Sequence, residues 1–367
     1  MSAFAPRRAQ LISALAAAGL DALIVSHPPN VRYLTGYVGS NGIAVIGRGG
    51  ERILTDSRYA VSAREQVDDD VEVVVGPGDL TGDIAQAVHA IAPGGRVGIE
   101  AAHTSMVRGA QLTASIAARD SGISVSSDVG RVEALRLVKD AQELAAIAHA
   151  ADIVDLALGR VLAAGLVGRS EREVAFALQT ELFVLGAEGP SFEIIVATGS
   201  NGAKPHAVPG VRTIAEGELV VIDLGAIADG YCSDMTRTVP TGTLPDDLAR
   251  AYAVCAQAQS AALAAVRPGI TCAALDAVAR DVITDAGLGE AFGHGLGHGV
   301  GLEIHEAPRV SREGTETLRP GMVVTIEPGI YLEGRGGVRI EDLVVVTEGG
   351  ARVLSQSPKA SISSITG

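Results

Sequence analysis

The sequence predicts an α/β domain over residues 1–128, followed by an α+β domain over residues 129–367 that is built as two similar halves. Three observations predict this. At 367 residues the chain is longer than one ordinary hydrophobic core organises. Short apolar runs alternate with helical patterns up to residue 128, as in a layered α/β unit. Beyond that point, a pattern of capped helix, apolar strand and acid occurs twice.

In the first domain a helical pattern covers residues 11–18, and Gly19 can close it. The apolar run 22–25 then suits a buried strand. Further strands are expected at 43–46, 52–55, 71–75 and 96–99, with helices at 79–92 and 103–118. The polar stretch 121–128 marks the expected boundary. After it, residues 139–164 read as one long helix rich in Ala and Leu.

The repeat orders the rest of the second domain. Ser170-Glu171-Arg172-Glu173 has the form of a capping box and opens a helix expected to stop at Gly186. At a spacing of 101 positions, Thr271 caps a second helix that stops at Gly287. Glu218-Leu219-Val220-Val221-Ile222-Asp223-Leu224-Gly225 then corresponds to Met322-Val323-Val324-Thr325-Ile326-Glu327-Pro328-Gly329. Each follows a glycine and brings an acid to the end of an apolar run. Each is followed by a glycine-containing turn and another acid, Asp234 or Glu341. Two similar halves place these four acids around a pseudo-two-fold axis.

Composition excludes several functions. Basic residues number 29 and acidic residues 43, for a net charge of −14, which provides no basic face for nucleic acid and favours cations. Apolar residues make up 47% but aromatics only 3%, so the cores are expected to be aliphatic. Three cysteines (Cys232, Cys255, Cys272) without a C-x-x-C pair speak against a disulfide framework and fit a reducing compartment. No run reaches the roughly 20 apolar residues of a membrane span. Gln10, Ser13 and Asp21 interrupt the stretch after Arg7 and Arg8, which reads as an amphipathic helix rather than a signal peptide. A cytoplasmic protein with no membrane partner is expected.

A lone acid at a strand end is ordinarily a solvated carboxylate. Two pairs of acids in repeated apolar contexts are different, because converging buried carboxylates repel unless a cation joins them. His298 lies in Gly295-Leu296-Gly297-His298-Gly299-Val300-Gly301, where glycines leave an imidazole accessible. His206, His294 and His305 fall in the same domain. A mixed carboxylate and imidazole shell suits Mn, Co, Zn or Fe. Two such ions lower the pKa of water and polarise a carbonyl, which is a toolkit for amide hydrolysis. The glycine run does not satisfy G-x-G-x-x-G, and neither a phosphate-binding loop, nor G-x-S-x-G, nor H-E-x-x-H occurs.

These segments resemble the pita-bread metallopeptidases, which include methionine aminopeptidase, aminopeptidase P and prolidase. The resemblance runs through Ile222-Asp223-Leu224-Gly225, Gly230-Tyr231-Cys232-Ser233-Asp234, His294-Gly295-Leu296-Gly297-His298, His305-Glu306-Ala307-Pro308, Thr325-Ile326-Glu327-Pro328-Gly329 and Val338-Arg339-Ile340-Glu341. In the first domain, Tyr33-Leu34-Thr35-Gly36-Tyr37 and Thr55-Asp56-Ser57-Arg58-Tyr59 resemble the creatinase-type amino-terminal domain, which disfavours plain methionine aminopeptidase. Creatinase itself lacks the metal-binding acids.

The resemblance implies two divalent metal ions per subunit, manganese before cobalt or zinc, held by Asp223, Asp234, His298, Glu327 and Glu341. It implies that Glu327 also takes the proton of the attacking water. It further implies that His206 contacts substrate, that His305 steadies the tetrahedral intermediate, and that His294 is an additional active-site histidine. Arg339 is expected to hold Asp234, Tyr331 to line the pocket, and Tyr231 to support the site. The implied substrates are Xaa-Pro peptides. Arg309, which matches a position where some prolidases hold the substrate carboxylate, favours an Xaa-Pro dipeptidase over an aminopeptidase P. A catalytically silent binding protein of the same fold is the alternative from another class. The loop 37–42 is a candidate to reach the site of a partner subunit in a homodimer.

Overall fold

A computed structural model describes residues 4–360, in two compact units, Met1–Arg136 and Leu137–Gly367. In the first unit six strands form one sheet, in the order Glu72–Gly76, Gly50–Asp56, Gly42–Gly47, Ala22–Val25, Arg96–Glu100 and Ser124–Asp128. Ala22–Val25 is buried along its whole length, which explains its unbroken apolar run. It pairs antiparallel with Gly42–Gly47 and parallel with Arg96–Glu100.

The polar stretch taken as a boundary contains the strand Ser124–Asp128, parallel to Arg96–Glu100. It lies at the sheet edge and is largely exposed, so it carries no apolar pattern to read. The unit also ends at Arg136 rather than 128. The helix Arg131–Arg136 is held by polar bonds to Asn30: Arg136 Nη1 donates to buried Asn30 Oδ1 at 2.6 Å, and Asn30 Nδ2 donates to half-buried Glu133 Oε1 at 2.7 Å. Partners a hundred residues apart leave no local signal.

The second unit opens with the helix Ala141–Ala163, where Asp140 and Glu143 form a capping box. Ser170 and Glu173 form the expected box on Glu171–Val184, and Thr271 caps Cys272–Asp285 through the Ala274 amide. The strand Leu219–Leu224 lies between Ile195–Thr198 and Met235–Pro240. Its counterpart Val323–Ile326 lies between Gly297–Gly299 and Asp342–Thr347. Both are fully buried. The same bridge joins helix start to loop in each half, Ser170 with Thr213 and Thr271 with Thr317. The helix Asp246–Ala265 was not foreseen. Alanines occupy its outer face as well as its buried one, and it starts at Pro245 without a side-chain cap, so neither a clear apolar stripe nor capping marks it. Among the described residues no helix is long and apolar enough to cross a membrane.

Candidate metal centre

Each of the five candidate ligands sits where a strand ends or bends. Asp223 is near the end of Leu219–Leu224, opposite Thr236 in register. Asp234 immediately precedes Met235–Pro240, and Glu327 immediately follows Val323–Ile326. Glu341 lies between Gly336–Arg339 and Asp342–Thr347, and its amide bonds the Thr236 carbonyl, so the two halves meet at the ligands. His298 is the middle residue of Gly297–Gly299. A Cβ on Gly297 would overlap the Thr325 carbonyl, and one on Gly299 the Ala307 carbonyl, so only glycine lets the neighbouring strands close around the imidazole.

Ligand atoms of Asp223, Asp234 and Glu341 all lie within 4.8 Å of one another. His298 Nε2 is 3.3 Å from Glu327 Oε1 and 3.5 Å from Asp234 Oδ2, so the five groups form one cluster. His298 Nδ1 lies 3.1 Å from the Gly299 carbonyl, which leaves Nε2 facing the carboxylates. Thr325 Oγ1 donates to Glu327 Oε1 at 3.0 Å and accepts from the His298 amide at 3.0 Å.

The electrostatics are those of buried acids brought close together. Burial, then the charges of Glu341 and Asp223, push Asp234 well above the usual carboxylate range. Burial, then Glu327 and Asp223, do the same to Glu341. Asp223 is raised by burial despite its Arg339 partner. Burial would also raise Glu327, but the hydrogen bond and charge of His298, with Arg339 behind them, hold it at about 2. Burial opposes protonation of His298, yet the Glu327 carboxylate outweighs it and raises the imidazole. Asp223 Oδ1 and Glu341 Oε1 are buried without any hydrogen-bond partner. Orphaned carboxylate oxygens among three further ligands fit a divalent cation.

Arg339 holds Asp223 rather than the expected Asp234. Its Nη2 donates to Asp223 Oδ2 at 2.6 Å, and its Nε donates to Thr236 Oγ1 at 3.0 Å. Thr236 Oγ1 in turn donates to Glu341 Oε2 at 2.7 Å. Register explains the shift: the Arg339 amide donates to Thr238 Oγ1, which donates to the Arg339 carbonyl, and Thr238 stands two residues along from the Thr236 that faces Asp223. Thr236 was missed as a site residue, although it lies on the same strand face as Asp234, two positions on.

A cavity of about 1000 Å³ ends at the cluster and is walled by His206, His294, His305 and Arg309, together with Phe192 and Ile195. The His305 ring stands 4.4 Å from that of His298, and burial, then the His298 charge, lower its pKa. Burial likewise lowers His294, whose Nε2 lies 3.0 Å from the Tyr331 hydroxyl. Tyr331 is not part of the cavity wall, contrary to expectation. It stands behind it, accepting from Arg339 Nη1 at 2.8 Å, and burial pushes its phenol up to about 12. Tyr231 is not brought to the cavity either; its hydroxyl donates to Glu143 Oε1 at 3.1 Å. Lys139 was also missed: it forms a buried ion pair at 3.3 Å with Glu306, the neighbour of His305. Nothing local in the sequence links residues so far apart.

The sequence profile described as metallopeptidase family M24 matches residues 145–348, and that of the creatinase/prolidase N-terminal domain matches residues 7–138. The uncharacterized peptidase YqhT of Bacillus subtilis is 40% identical over 341 residues, 93% of this chain and 95% of that protein. The solved Xaa-Pro dipeptidase from Bacillus anthracis is similar with a TM-score of 0.92 and 36% identity, covering 97% of this chain and 98% of the other. The X-Pro aminopeptidase from Thermotoga maritima follows with a TM-score of 0.87 and 34% identity, covering 96% and 99%. The chain therefore belongs to metallopeptidase family M24, with a creatinase/prolidase domain ahead of a pita-bread peptidase domain. It is a hydrolase of the divalent-metal class.

Proposed function

We propose that the protein hydrolyses the peptide bond before proline and prefers Xaa-Pro dipeptides. The observation that carries this reading is Arg309: it stands in the wall of the cavity that leads to the acid cluster, and no described carboxylate pairs with it. A guanidinium so placed can take the carboxylate of a two-residue substrate bidentately. The B. anthracis Xaa-Pro dipeptidase similarity supports the same choice. The near-equal likeness to the T. maritima X-Pro aminopeptidase keeps longer peptides as the second reading.

In this proposal Asp223, Asp234, His298, Glu327 and Glu341 hold two divalent ions, manganese first. When bound, such ions supply Lewis acidity and a lowered water pKa. Glu327 Oε accepts the proton of the attacking water and passes it toward the leaving proline nitrogen. His206 and His305 reach into the cavity to hydrogen-bond the substrate amide and its tetrahedral intermediate. Arg339 and Tyr331 fix Asp223 and His294 from behind. We extend the proposal to a cytoplasmic homodimer in which the loop 37–42 of one copy reaches the cavity of the other. Three buried free cysteines accord with a reducing compartment. Light scattering that finds only 37.3 kDa particles at micromolar concentration removes the dimer.

The deciding assay is proline or amino-acid release from Ala-Pro and Ala-Pro-Ala by Mn-loaded protein, with an EDTA-treated control. Cleavage of the dipeptide is expected. Cleavage of the tripeptide alone makes the protein an aminopeptidase, and no metal-dependent cleavage of either defeats the Xaa-Pro reading.

A further inference from the structure

The segment that brings His206 to the cavity has little structure of its own. After the short turn Gly199–Asn201, residues 202–212 form neither helix nor strand. No described residue hydrogen-bonds the His206 ring, so the ring is only as well placed as the loop.

One carboxylate holds the segment 198–210 at three points, two just ahead of the irregular stretch and one within it. Glu171 Oε1 accepts from the Thr198 amide at 2.8 Å. Its Oε2 accepts from Asn201 Nδ2 at 2.9 Å and from the Gly210 amide at 2.8 Å. Glu171 is 1% exposed, and it is the first residue of Glu171–Val184, where a helix amino terminus favours negative charge. The loop is further tied by Asn201 Nδ2 to the Val208 carbonyl at 3.1 Å and by Arg339 Nη1 to the Pro205 carbonyl at 3.2 Å.

The internal repeat supplies the control. Helix start and loop are joined by matching backbone bonds in both halves: the Glu171 and Arg172 amides donate to the carbonyls of Arg212 and Gly210, and the Cys272 and Ala273 amides to those of Glu316 and Gly314. The residue in the place of Glu171 is thus Cys272, whose Cβ packs over Gly314. The joint between helix and loop forms there without a carboxylate. The charge at position 171 is an addition found in the half that carries His206.

We propose that Glu171 is a positioning residue for the reaction: it fixes the loop 198–210 and so places His206 against the substrate. The proposal rests on the Xaa-Pro reading, in which His206 touches substrate.

The test is a kinetic cycle on Mn-loaded holoenzyme with Ala-Pro, using Glu171→Gln, His206→Ala and the double variant. Gln keeps the size and one acceptor for Thr198 but sets an NH2 group against the donors of Asn201 and Gly210. Glu171→Gln is expected to lower kcat/KM roughly 10–100-fold, as a misplaced contact does. Manganese affinity, read by calorimetry, should not change, because all five ligands lie outside the loop. The double variant should be no slower than His206→Ala alone. Multiplying losses in the double variant, or a fall in manganese affinity, overturns the proposal. Asn201→Ala, which removes one of the three bonds at a partly exposed site, should shift kcat/KM in the same direction; it carries the cycle if Glu171→Gln does not fold. Full activity in His206→Ala also overturns it. Failure of the wild type to cleave Ala-Pro or Ala-Pro-Ala defeats the Xaa-Pro reading instead, so the two failures are distinct.

Discussion

In the first half of the peptidase domain Asp223 is gripped by the guanidinium of Arg339, while in the second half Glu327 is gripped by the imidazole of His298. The frames match closely: capped helix, bridged loop, buried strand, acid. The partners differ in one physical property. A guanidinium keeps its charge at every working pH, so Asp223 has a fixed offset, lent to it across the domain by the strand Gly336–Arg339 of the second half. An imidazole can lose its proton within the working pH range and bind a metal as a neutral ligand, so the partner of Glu327 is not a fixed charge. Duplication of the backbone supplies a symmetric cradle, and exchange of a few side chains makes its two sides chemically unequal.

The largest effect that could break this comparison is at Glu327. Glu327→Gln is expected to lower kcat on Ala-Pro by roughly 10²–10⁴-fold, the range for a lost general base. Turnover near that of the wild type would remove Glu327 from proton transfer. Next comes the fixed charge. Arg339→Met leaves the buried Asp223 carboxylate unpartnered and should weaken manganese binding roughly 10–100-fold by calorimetric titration. An unchanged affinity would mean that Asp223 needs no fixed cation beside it.

A third test reads pH. Burial and neighbouring carboxylates raise Asp234 and Glu341 above the usual carboxylate range. An acid raised in the folded state stabilises below its unfolded pKa, and that stabilisation is lost as pH rises through the raised value. Metal-free protein should therefore lose melting temperature toward neutral pH relative to manganese-loaded protein, and the gap in calorimetric scans should widen as pH rises. A gap independent of pH would mean that these ligands are already ionised without metal. The smallest expected effect concerns the frame itself. Ser170→Ala and Thr271→Ala should each cost about 1 kcal/mol in urea unfolding, as lost helix caps do. Ser170→Ala should cost more, because only Ser170 has a reciprocal partner, Glu173. Equal losses would show that the box adds nothing to the cap.

Much of this fold was legible because its signals are local. The repeat of cap, apolar run and acid located both halves, and the glycines around His298 marked a site of close approach. What stayed hidden was non-local. The edge strand Ser124–Asp128 has no apolar face to read, and Asp246–Ala265 starts without a cap and carries alanines on every face. Tyr331 was expected in the cavity wall, yet packing puts it behind His294.

By itself the sequence determined that acids close apolar strands, a placement that is costly without a cation. It also determined that they come in two repeated sets. Only the tertiary structure decided who supports whom: Arg339 on Asp223, Thr236 between Arg339 and Glu341, Lys139 under Glu306, and Glu171 clasping the His206 loop. Spacing along a chain records periodicity and capping. A hydrogen bond between residues a hundred positions apart is set by register and packing, which exist only once the strands have paired.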